Sequence, residues 1–456
     1  MEEIKGTLTA AEIELAVRCQ EKALALGADH VRITLNKSLM ELFGTLNGEI
    51  DKVSHCLDRS LTAVLYIGSR SSSFSTNRLE DCVEGDFLPK AVSAVRMMAE
   101  EPLRTLPDPA RLEKNAVTGL ELGLYDKDYP ALSLDRRRQL ALDAAIFKKG
   151  SHKGLISEEG EYSDSISDCV IINSDGLRCR HIETSFEYGV EVTVESEDGD
   201  KFSGYWWDAA PVFADLKVDS CGEEAYRRAY SQIGPKKIRS GKYTMVVDSE
   251  VASKLLNPVM SALGGSSLQQ KTSFLQDSLG KKLFPEWMTV WDRPKSQGKF
   301  GSTLFDIEGV STLETPVIEN GVVKEYFLST FYAKKLGLPP TTYDVTRPVL
   351  LPCAAPSFGP VQGSLDRDRI MELVGDGVLV TGFNGGNSNP VSGDFSFGVE
   401  GFVFREGRIV HPVREVLITG NLLKLWGSLL LAGDDSRMCK SKLIPTLAFG
   451  NVDFSA

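Results

Sequence analysis

The sequence predicts an α+β protein in two domains: N-terminal antiparallel sheets carrying helices, then a C-terminal β-rich domain built as a barrel-like or curved sheet. Three observations lead there. A chain of 456 residues is too long for one ordinary core. Polar and apolar residues alternate from Gly160 to Trp207, the period-2 mark of half-buried strands. From Gly241 onward, short apolar runs are divided by glycine-rich bends and few helical periods appear.

Taken in order, the elements begin with Thr9-Ala-Ala-Glu12, a capping box that satisfies two otherwise unpaired N–H groups at a helix start. Ile13, Ala16, Val17 and Leu24 continue it at helical spacing to Gly27. Strands are expected at His30–Leu35 and Leu39–Leu46, and Asn47-Gly48 supplies a tight turn into Glu49–Cys56. Leu61–Ile67 completes this sheet, and Leu88–Glu101 reads as an amphipathic helix. Leu106-Pro-Asp-Pro-Ala110 reads as a linker. A helix from Ser133 to Lys148, capped by Ser133 and stopped at Gly150, precedes a meander turned by Asp175-Gly176 and Asp198-Gly199. Glu223–Ile233 is a helix stopped by Gly234-Pro235. The N-terminal α+β domain therefore spans 1–225, with sub-regions 1–105 and 115–215, and the C-terminal β-rich domain spans 226–456. In the latter, strand Tyr243–Val247 leads into a helix over Ser249–Leu263, and Asn320-Gly321 turns a hairpin. Tyr332–Leu336 is a short helix ended by Gly337; Asn421–Leu431 is the last helix, before a strand near Leu443–Phe449.

Hydrophobic content of 42% and charged content of 25% are ordinary for a soluble globular protein. A net charge of −12 argues against direct nucleic-acid binding, whose affinity comes from Lys and Arg on phosphates. The N-terminus has no apolar signal core, and no run approaches membrane-spanning length. Eight scattered cysteines without a CxxC pair read as reduced and cytoplasmic. Cys179 and His181 share a strand face, but nothing nearby completes a ligand set, so a structural role is expected. His411 lies in an apolar strand and Cys439 near no helix start, so a Cys/His nucleophile is rejected. Glu158-Glu159 and the acids from Glu195 to Asp200 read as solvated hairpin surface. No P-loop, dinucleotide fingerprint or GxSxG elbow is present.

The richest candidate runs from Gly382 to Gly398, GFNGGNSNPVSGDFSFG. Its glycines let a backbone approach closely, and its Asn, Ser and Asp side chains hydrogen-bond peptide groups. Asn384, Asn387, Ser392, Gly393, Asp394 and Ser396 are therefore candidate substrate-binding residues, on a strand edge that holds extended peptide. The competing account is a bulge-and-turn region whose side chains satisfy their own backbone. The residues alone leave the two level.

GGSSLQQKTSFLQDSLGKKLFPEW (264–287), STLFDIEGVST (302–312), VIENGVVKEYFLSTFYAKKLGL (317–338), NPVSGDFSFGVEGFVFREGRIVHPV (389–413) and ITGNLL (418–423), in this order and spacing, resemble the TldD/PmbA family, also called modulators of DNA gyrase. TldD-type members carry a zinc-binding HExxxH helix just upstream of the matching TSF segment. Here the corresponding helix offers Leu255, Leu256 and Met260 near the expected ligand and base positions, and no histidine occurs from Ser261 to Pro294. Leucine and methionine do not build a zinc site. The resemblance is thus to the PmbA or TldE branch. It implies no catalytic or metal-binding residue and no cofactor on this chain, with zinc on a TldD-type metalloprotease partner. It further implies unfolded peptide as substrate, a chamber wall and peptide-binding edge as this chain's part, and a homodimer when isolated. It tips the Gly382–Gly398 stretch toward peptide binding. The alternatives are a stand-alone homodimeric peptidase and an acidic protein that modulates a nucleic-acid enzyme.

Overall fold

Thr9 opens the first helix as the capping box requires: its hydroxyl accepts from Glu12 N, and the Glu12 carboxylate accepts from Thr9 N at 2.8 Å. A computed structural model describes residues 4–149 and 152–456. Gly150, the expected helix stop, lies outside the described residues. The chain divides into two compact units. One is Met1–Tyr230 with Lys295–Thr312 and Ser329–Thr342; the other is Ser231–Pro294 with Leu313–Leu328 and Tyr343–Ala456.

In the first unit, α1 (Ala10–Ala25) is followed by β1 (His30–Leu46), β2 (Glu49–Ile67), β3 (Arg70–Thr76), α2 (Glu80–Val83), α3 (Phe87–Val95) and α4 (Leu134–Ala144). Then come β4 (Leu155–Asn173), β5 (Arg178–Glu195), β6 (Lys201–Ala210) and α5 (Cys221–Tyr230). The six strands form one antiparallel sheet in the order β3-β2-β1-β4-β5-β6. Each pair of short strands expected at 30–46 and at 49–67 is one long strand. The polar residues between them do not break it, because they bond sideways: Lys37 meets Glu12 at 3.0 Å and Arg59 reaches the same carboxylate at 3.4 Å. Ala16, Cys19 and Ala23 of α1 pack with Val31, Ile33, Ala63 and Leu65 in the core beneath.

Behind the sheet, buried carboxylates are held by arginines. Arg137 of α4 donates to Asp164 at 2.5 and 3.0 Å, and Tyr162 Oη donates to the same group at 2.7 Å. Arg180 clasps Asp168, which also accepts from Leu8 N at 2.8 Å. Glu158, expected in solvent, is buried and accepts from Ile146 N and Phe147 N, two backbone donors in the segment that follows α4. Residues 106–110 are no boundary: Asp108 caps a short turn at Pro109–Arg111, and Leu112 packs with Ile171, Leu177 and Phe305. Phe305 and Ser311, whose hydroxyl donates to Glu113 at 2.6 Å, belong to this unit although they follow residue 226. Each compact unit thus draws on more than one stretch of the chain.

The second unit contains β7 (Gly241–Val247), α6 (Ser253–Ala262), α7 (Gly265–Gln269), β8 (Val290–Asp292), β9 (Thr315–Glu319) and β10 (Val322–Val323). Next in the chain is α8 (Thr330–Leu336), part of the first unit, ended by Gly337 at φ +66°. The second unit resumes with β11 (Pro348–Leu350), β12 (Cys353–Ala354), α9 (Arg367–Val374), β13 (Gly377–Ser388), β14 (Asp394–Arg405) and β15 (Arg408–Asn421). It ends with α10 (Leu422–Gly427), β16 (Leu429–Ala432) and β17 (Leu447–Ser455). Strands β7, β13, β14, β15 and β17 close on themselves, because β17 pairs with both β15 and β7. This is the expected barrel. The last helix stops at Gly427 rather than Leu431, since Leu429 and Leu431 are taken into the ladder with β17.

Candidate functional site

The helix α6 divides into two faces. Leu255, Leu256, Val259 and Met260 are buried. Lys254, Asn257, Pro258 and Ser261 follow the i, i+3, i+4, i+7 stripe and line a cavity of about 460 Å³ within the second unit. Pro258 has no N–H to give, so the Lys254 carbonyl loses its helical partner on this face. Ser267 and Thr272 from the segment around α7, Asn387 and Ser388 of β13, Pro390 and Phe397 complete the wall.

The strand β13 supplies the cavity's edge. It pairs with β7 only over Val378–Val380, and among the described residues no strand covers that side beyond Val380. Its other side follows β14 through two irregularities, after Val380 and after Phe383, and returns to register at Gly386↔Phe397, Asn387↔Ser396 and Ser388↔Phe395. Gly386 makes the second one: its φ is +89°, and a Cβ there would lie 2.1 Å from Ser396 O. Phe397 stacks on Phe395 at 5.2 Å, and Lys254 Nζ stands 5.5 Å from the Phe397 ring centroid.

The six sequence candidates separate here. Asn387 is exposed on the free edge and lines the cavity. Asn384 is exposed too, but its amide donates to Glu400 at 2.9 Å. Ser392, Gly393 and Asp394 build the turn between β13 and β14. Ser392 Oγ donates to Asp394 at 2.7 Å, and Asn421 Nδ2 donates to both Ser392 O and Asp394, at 2.8 and 3.0 Å. The Asn421 and Ser392 bonds hold the Asp394 carboxyl below its usual range. Gly393 carries the φ of +76° that the turn needs. Ser396 stands on β14 between Asn387 and Thr419, inside the ladder rather than at its edge. Lys254, Asn257 and Ser261 were missed by sequence reasoning. Their signal was the polar stripe opposite the apolar face of α6.

Zinc does not fit this site. The positions compared with the metal helix, Leu255, Leu256 and Met260, face the core, and the cavity face offers an ammonium, a carboxamide, a proline ring and a hydroxyl. Among the described residues, no three His, Cys, Asp or Glu side chains come together as a metal-binding group. Cys179 lies in the first unit's core with Leu112 and Ile171, and His181 contacts Glu183 at 3.4 Å. His411 meets the Pro412 carbonyl at 3.1 Å. No helix among the described residues is long and apolar enough to cross a membrane.

Comparison with known proteins places this geometry. Residues 127–233 match the PmbA/TldA metallopeptidase central domain, and residues 240–456 match the PmbA/TldA metallopeptidase C-terminal domain. The chain is 27% identical over 430 residues to Metalloprotease PmbA of Escherichia coli O157:H7, covering 92% of each. It is similar to a crystal structure from Bacteroides thetaiotaomicron, described as a candidate modulator of DNA gyrase. That pair shares 34% identity and a TM-score of 0.91, over 98% of this chain and 99% of the other. TldE from Thermococcus kodakarensis shares the fold, with a TM-score of 0.78 at 18% identity over 98% of this chain and 100% of the other.

Proposed function

The chain belongs to the PmbA/TldD metallopeptidase family, and from that premise we propose that it is the zinc-free subunit of a TldD/TldE-type peptidase. Its part is to hold unfolded peptide in the cytoplasm while a TldD-type subunit cuts it. The observation that carries this reading is the cavity beside α6: a peptide-sized space with a free strand edge and no zinc donor on its helix.

An extended peptide pairs its main chain with β13 at Gly386–Ser388, the short stretch where the edge is regular. Asn387 and Asn257 each offer amide donors to peptide carbonyls, their oxygens already accepting from Ser388 N and Lys442 Nζ, and Ser261 and Ser267 add hydroxyls. Lys254 draws carbonyl or carboxylate oxygens to the Phe397 end of the cavity. Zinc on the partner supplies the Lewis acid that polarises the scissile carbonyl. Ser392, Gly393 and Asp394 shape the turn that carries this edge and do not touch peptide.

The test measures zinc content and cleavage of an unstructured peptide by this chain, by a TldD-type subunit, and by the two mixed. Cleavage is expected from the mixture, with zinc in the partner and no cleavage from this chain alone. Chelator-sensitive cleavage by this chain alone overturns the reading.

A further inference from the structure

In the first unit, β1 carries an arginine that meets no carboxylate. Arg32 lies on the sheet face turned away from α1, since Val31 and Ile33 on either side of it pack into the core beneath that helix. Its Nε and Nη1 are buried, and neither finds an acceptor. Directly opposite on β4 stands Asn173, 2% exposed. Its Oδ1 accepts from Asp175 N and Leu177 N, each at 2.9 Å, which fixes the amide plane; its buried Nδ2 has no partner. Residues paired across strands hold their Cβ atoms within about 5.5 Å, so these donors are neighbours.

The surroundings do not supply the missing acceptor. On its other side Arg32 faces Val64, and the next pairs on this face join Thr34 to Thr62 and to Ile171. Two carboxylates stand nearby, and both are engaged elsewhere. Asp175 meets His30 Nδ1 at 3.1 Å, and Glu308 accepts from Thr330 N at 2.9 Å. Thr330 Oγ1 is itself buried and unpartnered. Burial pushes the Tyr66 hydroxyl up; Arg32 and Arg104 pull it back and Glu308 adds to the rise, so all three stand near that ring. Arg104, exposed, lies 4.0 Å above the Phe331 ring. In a chain of net charge −12, two arginines here are without an ion pair among the described residues.

We propose that Arg32 and Asn173 hold a small oxyanion, a phosphate or carboxylate group, with Arg104 adding positive charge at the rim. Arg32 is only half-buried, so the group enters from solvent. The guanidinium offers charge and planar donors, and the Asn173 amide adds an N–H whose direction is already set. A bound oxyanion satisfies donors whose burial is otherwise uncompensated, and the stability of the first unit then depends on oxyanion concentration. The inference stands apart from the peptidase reading, because it concerns β1 and β4 of this chain alone and not the cavity beside α6.

Thermal unfolding of the isolated chain tests it, with sodium phosphate and sodium acetate at about 10 mM as probes and sodium chloride at matched ionic strength as the control for screening. The wild type should unfold about 2 °C or more higher in phosphate, in acetate or in both than in chloride. A response to one probe alone identifies the group; a response to both assigns the chemistry they share. Arg32→Gln should lose the shift. Asn173→Asp sets a carboxylate oxygen where Nδ2 stands, against Arg32, while the other oxygen keeps both backbone bonds. It should raise the midpoint without added oxyanion and no longer respond, which tests the site even where Arg32→Gln does not fold. A wild type that responds to neither probe beyond chloride, an Arg32→Gln chain that responds like the wild type, or an Asn173→Asp chain that keeps the wild-type response would each overturn the proposal.

Discussion

From Lys52 to Ser60, β2 runs in unbroken register with β1 and presents a regular edge carrying Lys52, Asp58 and Arg59 and the exposed Val53 and Leu57. From Thr381 to Ser388, β13 is interrupted twice and only three residues at its end return to register. Both edges are uncovered, and they suit different occupants. A regular edge about ten residues long suits a strand that can pair along its whole length. On the proposed function, a three-residue edge beside a cavity with hydroxyls and carboxamides would hold main chain with little regard to side chain. The contrast teaches that an edge's regularity, more than its exposure, sets how selective its pairing is.

The largest expected effect would undo the regular edge from behind. Arg137→Ala leaves Asp164 buried without its cation, and about 4 kcal/mol of stability should be lost in urea denaturation. Loss below about 1 kcal/mol would mean that β1 and β4 do not depend on this pair. Next comes the bulged edge. Gly386→Ala forces a Cβ against Ser396 O at a positive φ, and should cost about 2–3 kcal/mol and abolish peptide retention.

Buried carboxylates are kept in two ways, and both occur in each unit: Glu158 of the first accepts from backbone, and Asp248 of the second faces Arg367 at 3.1 Å. Asp164 and Asp168 face arginines, whereas Asp292 accepts from backbone, at Thr346 N and Arg347 N. Burial pushes Asp292 up to about 6 despite those bonds. A folded pKa above the unfolded one means that the protonated form is favoured by folding. Its contribution is complete below about pH 4 and is lost as pH rises through 6, on the order of 2 kcal/mol. Asp292→Asn should flatten that part of the stability–pH profile; an unchanged profile would assign it to other groups. The smallest effect on stability is expected from Asn387→Ala, within about 0.5 kcal/mol, with weakened peptide cleavage by the two-subunit complex. Unaltered cleavage would remove Asn387 from the peptide edge.

Local signals were legible where one residue's chemistry decides: the Thr9 box, the Asn47-Gly48 and Asp175-Gly176 turns and the Gly337 stop are all in place. Strand continuity through Asn36-Lys37-Ser38 was not, because it depends on Glu12, distant in sequence, receiving Lys37. The return of Phe305 and Ser311 to the first unit was hidden for the same reason. At the site, the absence of a zinc donor set on α6 could be read from the sequence. Which face of α6 meets the cavity required the barrel to be assembled. Ser396 was misplaced because alternation gives a strand's faces and says nothing about whether it is central or at an edge.

Barrel closure bears on how the protein is made. Gly241 pairs with Phe454, so the second unit's first strand waits for its last before the ring is complete. Contacts so distant in sequence form slowly, since loop closure must precede any gain from pairing. Until β13 arrives, Met245, Val246 and Val247 have neither neighbour, and until β17 follows they have only one. During synthesis that apolar strand is a target for chaperones and a seed for aggregation.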